Sequence, residues 1–168
     1  MKKGVFIFAT LVLVALVVFI FNKLINTEKI ESEVQFDSEA EALEYAKDES
    51  PYIVDFISQT KLVDSEKMVI YKFKKDEAVG IGTGTLVWKN KKVSWYKNGN
   101  DVIISDKNNN TNIIGDVESY SGKKFKLYAG ITNSKNIKIE TETDSEISPH
   151  IDDNSGLYYL LVPSLRQK

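Results

Sequence analysis

An uninterrupted apolar run near the N-terminus constrains this chain more than any other feature of its sequence. Residues 4–21 contain no charged side chain, and Thr10 carries their only hydroxyl. As a helix, about 18 residues rising about 1.5 Å each span about 27 Å, close to the apolar thickness of a bilayer. A helix also satisfies its own backbone hydrogen bonds in lipid. The sequence therefore predicts a transmembrane anchor over residues 4–21, in contact with the lipid bilayer.

The charges that flank this run predict its orientation. Lys2 and Lys3 precede it, whereas Lys23 is soon followed by acidic residues. Because basic residues favour the cytoplasmic side, we expect a cytoplasmic tip at residues 1–3 and the rest of the chain outside the cell. A cleaved signal peptide is the alternative. The length of the run and the lack of a small-x-small cleavage signal after it favour an uncleaved, single-pass anchor in the cell membrane.

The remaining chain has the length of one domain. Residues 22–35 are a polar connector, and residues 36–168 are expected to form one extracytoplasmic domain with a modest core. The 168 residues include no cysteine, and a secreted domain without disulfides favours a bacterial cell surface. The formal net charge is −2 with lysines scattered along the chain, which argues against nucleic acid as a partner.

Local patterns predict a helix at the start of this domain. Residues 36–50 have a helical apolar pattern in which Asp37 or Ser38 is the cap, and Ser38 with Glu41 fits a capping box. The apolar residues 51–63 are consistent with either a short second helix or a strand.

Strand patterns fill the rest of the domain. They cover residues 68–73, 78–88, 93–97, 101–105, 125–131, 137–141 and 156–162. Asn98–Gly99 predicts a tight turn, residues 132–136 a hairpin loop and residues 106–112 a loop tip. The last strand is almost entirely apolar and is expected to be central. The predicted fold class is α+β: an N-terminal transmembrane helix, then one mainly antiparallel β domain with one or two short helices.

Three glycines alternate along one of these strands. Gly80, Gly82 and Gly84 share a face, and no helix follows them, so they are not a dinucleotide-binding fingerprint. A flat glycine face favours close packing of an aromatic ring. A ligand platform is the alternative, with Trp88 and Trp95 on neighbouring strands adding aromatic contacts. These five residues are the candidate ligand-binding site.

The sequence offers little to a catalytic or metal site. His150 is the only histidine, and with Asp152 and Asp153 it falls short of the three or four ligands typical of a first-row metal. Residues 106–117 begin like a calcium loop but lack its internal glycine and its final glutamate. Without a cysteine or a Ser–His pair that the sequence places together, we expect no catalytic residue, no metal and no cofactor.

Two stretches resemble uncharacterised small membrane-anchored extracytoplasmic proteins of Gram-positive bacteria. One is the basic start and apolar anchor with the short acidic helix Ser38–Lys47, and the other is the strand-turn-strand pattern Tyr128–Glu140. The helix followed by strands is also similar to PepSY-like domains, although this chain departs from them in lacking a clear Gly-Lys turn. The resemblance implies an envelope location and brings no catalytic residues.

These observations predict a non-enzymatic interaction or regulatory module at the cell envelope, in contact with another envelope protein. Such a module should present a discrete apolar or aromatic surface patch. The alternative is a domain that binds a small ligand or a cell-wall glycan on the glycine face.

Overall fold

The structure is a computed structural model that describes residues 34–99, 101–104 and 113–165. The chain divides into two units, and the described residues after Val34 belong to the second, Gln35–Lys168. The predicted cytoplasmic tip, anchor and loop tip, and all but the end of the connector, lie outside the described residues. Within those residues no helix has the length and apolar character needed to cross a bilayer.

One helix and nine strands occur in the described residues. They are α1 (Glu39–Glu49), β1 (Ile53–Gln59), β2 (Glu66–Lys75), β3 (Ala78–Lys89), β4 (Lys92–Lys97), β5 (Val102–Ile104), β6 (Ile113–Glu118), β7 (Lys124–Ile131), β8 (His150–Ile151) and β9 (Leu157–Pro163).

The strands form two antiparallel sheets. The first has the order β1-β2-β3-β4, and β5 pairs with β3 on the same edge as β4. The second has the order β6-β7-β9-β8. The described residues therefore confirm an α+β domain with mainly antiparallel pairing and one short helix, and they place β9 inside its sheet as expected.

Burial of apolar side chains arranges these elements in layers. The facing sides of the two sheets share one core, formed by Met68, Ile70, Ile81, Val102, Ile104, Val117, Leu127, Ala129, Leu157 and Tyr159. Helix α1 covers the other face of the first sheet through its fully buried Ala42 and Ala46. Ile137 and Ile139 cover part of the outer face of the second sheet, against Tyr128 and Tyr158.

The start of α1 follows the predicted capping pattern. Ser38 is the N-cap, and its Oγ accepts a hydrogen bond from the backbone N–H of Glu41 at 3.2 Å. The Glu41 carboxylate accepts one from the N–H of Asp37 at 3.0 Å. The first bond satisfies one N–H group that a helix start leaves without a backbone partner, and the second ties the residue before the cap to the first turn.

Three expectations about the strands are resolved or corrected. The ambiguous residues 51–63 contain a strand, β1, and not a second helix. Residues 137–141 do not form a hairpin with β7, because β7 pairs with β6 and β9 and the apolar side chains of 137–141 pack across the sheet. The turn at Asn98–Gly99 does not join paired strands, since β4 and β5 both pair with β3.

Candidate functional site

The predicted glycine face lies on the helix side of the first sheet, where aromatic rings fill the space above it. A Cβ added to any of the three glycines would overlap the ring of a neighbouring side chain. The pairs are Gly80 with Phe73, Gly82 with Tyr71 and Gly84 with Trp95. The absence of side chains at these three positions therefore allows the aromatic rings to lie against β3, in the packed layer beneath α1.

The two predicted tryptophans differ in their surroundings. Trp95 is only 7% exposed, and its ring contacts Phe56 and Tyr71 at centroid distances of 5.8 and 6.2 Å. Trp88 is half-buried at the margin of the same core, and the ammonium of Lys67 lies 5.3 Å from its ring centroid. The structure thus brings all five predicted residues to one face of the first sheet, with Trp95 inside the core.

A polar cluster adjoins this aromatic layer. The hydroxyl of Tyr71 donates to Asp101 Oδ1 at 2.7 Å, and Lys97 Nζ donates to Asp101 Oδ2 at 2.9 Å and to the Tyr52 hydroxyl at 2.6 Å. Burial and the neighbouring Asp101 raise the pKa of Tyr71 far above its ordinary value. Burial lowers the pKa of Lys97, but its hydrogen bonds to Tyr52 and Asp101 outweigh that effect and the net shift is upward. Both groups hold their protons at neutral pH. Their hydrogen bonds to Asp101 link β2 to the β4–β5 connection.

A groove of about 600 Å³ lies between the edge of the first sheet and the edge of the second. Its lining residues come from β1, β2, the β8 region and β9: Val54, Asp55, Phe56, Ile57, Lys72, His150, Ile151, Asp152, Asp153, Asn154, Leu157 and Tyr159. In the described part of the chain β1 pairs only with β2, and β8 is two residues long. We call this feature the edge groove.

Carboxylates dominate the charge of the edge groove. Asp55 and Asp153 are exposed, and Lys72 lies 3.7 Å from Asp152. Hydrogen bonds from the Ser155 hydroxyl and the Asn154 N–H lower the pKa of Asp152, so its carboxylate stays ionised at neutral pH.

The histidine of this groove has an aromatic neighbour. His150 is exposed, and its ring lies 4.9 Å from that of Tyr159. Across the described ranges no three His, Asp or Glu side chains stand close enough together to hold a metal ion. The edge groove therefore combines charged side chains with apolar surface, and a single imidazole lies among its lining residues.

A second cavity, of about 410 Å³, opens at one end of the space between the sheets. It is lined by Thr60, Lys61, Val63, Glu66, Met68, Ser119, Lys123, Lys124, Phe125, Leu161 and Pro163. Glu66 is only 7% exposed, and its Oε2 accepts hydrogen bonds from Ser119 Oγ at 3.0 Å and Ser121 Oγ at 2.7 Å. We call this feature the end cavity.

The sequence did not reveal the end cavity. Asp64 and Ser65, both with positive φ, form a turn, and Glu66 directly after them begins β2. The serines that bind its carboxylate are 53 and 55 positions away along the chain. No local periodicity signals a contact at that separation.

Comparisons with protein-family models, with curated proteins and with solved structures find no match to this chain.

Proposed function

We propose that this protein is a non-enzymatic interaction or regulatory module tethered to the cell envelope, and that its edge groove receives an extended, basic segment of another envelope protein. The apolar run at residues 4–21 supports the tether. The observation that carries the docking proposal is the edge groove itself, where both sheets end beside one another and leave about 600 Å³ between them.

The shape of the edge groove suits an extended segment. Val54 is 53% exposed on the outermost strand of the first sheet, and Phe56 and Ile57 are partly exposed beside it. These side chains supply apolar contacts along one wall. The pairing of β1 with β2 shifts register twice, and the Tyr159 hydroxyl donates to the Ile57 carbonyl at 3.2 Å. Such irregularities oppose continuous strand addition. The segment is therefore held mainly by side-chain contacts.

The negative charge of the edge groove favours a partner segment with basic side chains. Asp55 and Asp153 are exposed in the groove, and the salt bridges among the described residues do not include either of them. A segment with lysine or arginine side chains would place cations beside these carboxylates, and complementary charge speeds encounter and fixes register. An acidic segment would meet repulsion instead.

Site-specific photo-crosslinking of the full-length protein in its native membrane tests this proposal. Photoreactive residues replace Val54 or Asn154 in the edge groove, and Lys89, at the far end of β3, as a remote control position. Mass spectrometry then maps the crosslinked peptide. We expect the two groove probes to capture the same basic segment of one envelope protein, and the Lys89 probe to capture none of it.

A charge reversal makes the test specific. The double variant Asp55→Lys, Asp153→Lys should abolish capture by the Val54 probe. A matched double variant, Asp48→Lys with Glu77→Lys, changes two exposed acids outside the groove by the same total charge and should leave capture intact. Equal capture in both double variants, or an acidic captured segment, would overturn the docking proposal.

A small-ligand module is the second candidate function. One observation favours it, the end cavity with its buried carboxylate. The two features share no lining residue, so variants of one test it without altering the other.

A further inference from the structure

We infer that the end cavity binds a small organic cation with an apolar body, held through Glu66. The inference is independent of the edge groove. It rests on the burial of one carboxylate, on the polar groups that orient it and on the apolar walls around it.

Glu66 is an unusual residue to bury. Glutamate is almost never fully buried unless it is paired, because removing a carboxylate from water is costly. Here the residue is 7% exposed, yet the salt bridges of the described residues leave it out. Its partners are two neutral hydroxyls, from Ser119 and Ser121, which both donate to Oε2. The carboxylate is thus held in position by hydrogen bonds, and no lysine or arginine among the described residues pairs with it.

The walls of the cavity are mainly apolar. Met68, Phe125 and Leu161 belong to or pack against the core between the sheets, and Val63 and Pro163 extend the same surface outward. A volume of about 410 Å³ lies within the range of small-molecule sites, which are typically apolar with a few oriented polar groups. Such walls favour a hydrocarbon or aromatic body, and Glu66 favours an ammonium head.

The lysines of the lining do not neutralise Glu66. The ammonium of Lys123 pairs with Asp64 at 2.7 Å, at the surface. Lys61 and Lys124 are exposed, and long lysine side chains usually keep their ammonium groups in water. The cationic groups thus belong to the rim, whereas Glu66 as a residue is 7% exposed. A ligand that reaches into the cavity meets the Glu66 carboxylate there.

Three compounds with the same ring and different head groups test the inference. Benzylammonium, benzyl alcohol and benzoate are titrated into the full-length protein in lipid nanodiscs by calorimetry, with empty nanodiscs subtracted. A hydrogen bond to a charged group is worth more than one to a neutral group, so we expect benzylammonium to bind about tenfold more tightly than benzyl alcohol. Benzoate should bind most weakly.

Two variants and a matched control identify the site. Glu66→Gln keeps the side-chain size and an acceptor for the serine hydroxyls, and should remove the preference for benzylammonium while benzyl alcohol binds as before. Glu77→Gln, in the exposed β2–β3 turn, is the matched control and should retain the preference. Val63→Trp, at a position 55% exposed on the cavity lining, should weaken binding of all three compounds by steric blockage.

The results distinguish the role of Glu66 from the role of the cavity. A preference for benzylammonium that survives Glu66→Gln would overturn the role of Glu66, and equal affinities for the ammonium and the alcohol would do the same. Binding that Val63→Trp leaves unchanged, or no binding by any compound, would overturn the cavity as the site. Far-ultraviolet circular dichroism of each variant shows that it is folded, and Val63→Trp keeps the test decisive where Glu66→Gln does not fold.

Discussion

At the scale of single residues, the packing of aromatic rings on β3 requires glycines, which carry no Cβ atom. Gly82 lies against the ring of Tyr71 and the carboxylate of Asp101, and a Cβ at this position would overlap both. Because Tyr71 is fully buried and hydrogen-bonded to Asp101, its ring has little freedom to move away. The glycine is therefore required for the packing of the helix-side core.

We expect Gly82→Ala to lower the free energy of unfolding by about 1–3 kcal/mol, the usual cost of overpacking a core. Denaturant unfolding followed by tryptophan fluorescence measures the change, since Trp95 lies in the same core. Thr83→Val is the control on the same strand. The buried Thr83 hydroxyl has no hydrogen-bond partner among the described residues, so its removal should cost nothing. Equal midpoints for Gly82→Ala and the parent protein would show that the ring does not lie on the glycine.

At the scale of elements, the stability of α1 depends on its N-terminus. The helix has 11 residues, a length at which isolated helices are marginal in water, so packing and capping determine its stability. Only Ala42 and Ala46 are buried in it. The hydrogen bond from the Glu41 N–H to the Ser38 hydroxyl therefore matters more than it would in a longer helix.

Ser38→Ala should lower the free energy of unfolding by about 1 kcal/mol, the typical cost of removing an N-cap. Ser38→Asp keeps a side-chain acceptor at the cap and places a negative charge at the helix N-terminus, so it should retain the stability of the parent protein. Thermal unfolding by circular dichroism compares the three proteins. A Ser38→Asp variant as unstable as Ser38→Ala would contradict a capping role.

The sequence predicted the elements that local contacts specify, but not those that depend on contacts between distant segments. The Ser38–Glu41 pattern is local, and the turns before β3 and β4 lie between strands that pair with each other, so neighbouring residues specify them. The Ile137–Thr141 stretch alternates like a strand, but its isoleucines cover a sheet built by the pairing of β7 with β9. The contact between Glu66 and Ser119 likewise depends on the stacking of two sheets. The alternation of apolar and polar residues indicates which side chains are buried, but it does not indicate which distant segment covers them.

At the scale of the whole molecule, each layer contains a buried tyrosine, and these tyrosines determine how stability responds to alkaline pH. Tyr71 belongs to the layer beneath α1, Tyr159 to the core between the sheets and Tyr158 to the outer face of the second sheet. Burial raises the pKa of all three. Each therefore keeps its proton in the folded state at a pH where the unfolded chain, with an ordinary tyrosine pKa of 10.0, has lost it.

The sign of the pH dependence follows from this difference. A folded-state pKa above the unfolded value contributes stability that is complete below the unfolded pKa and declines as the pH rises past it. The upward shift of Lys97 acts in the same direction. We expect the free energy of unfolding to change little between about pH 7 and 9 and to fall above about pH 10. The slope should approach about 1.4 kcal/mol per pH unit for each such proton.

Denaturant unfolding of the full-length protein at closely spaced pH values measures this slope, and Tyr71→Phe assigns part of it. The variant loses the hydroxyl hydrogen bond to Asp101, so it is less stable at neutral pH. Its stability should nevertheless fall less steeply above pH 10, because one of the three shifted tyrosines is absent. Tyr120→Phe, at a position 54% exposed, is the control and should keep the parent slope. Parallel curves for Tyr71→Phe and the parent protein would mean that Tyr71 ionises alike in both states, and that the layer beneath α1 is open to water.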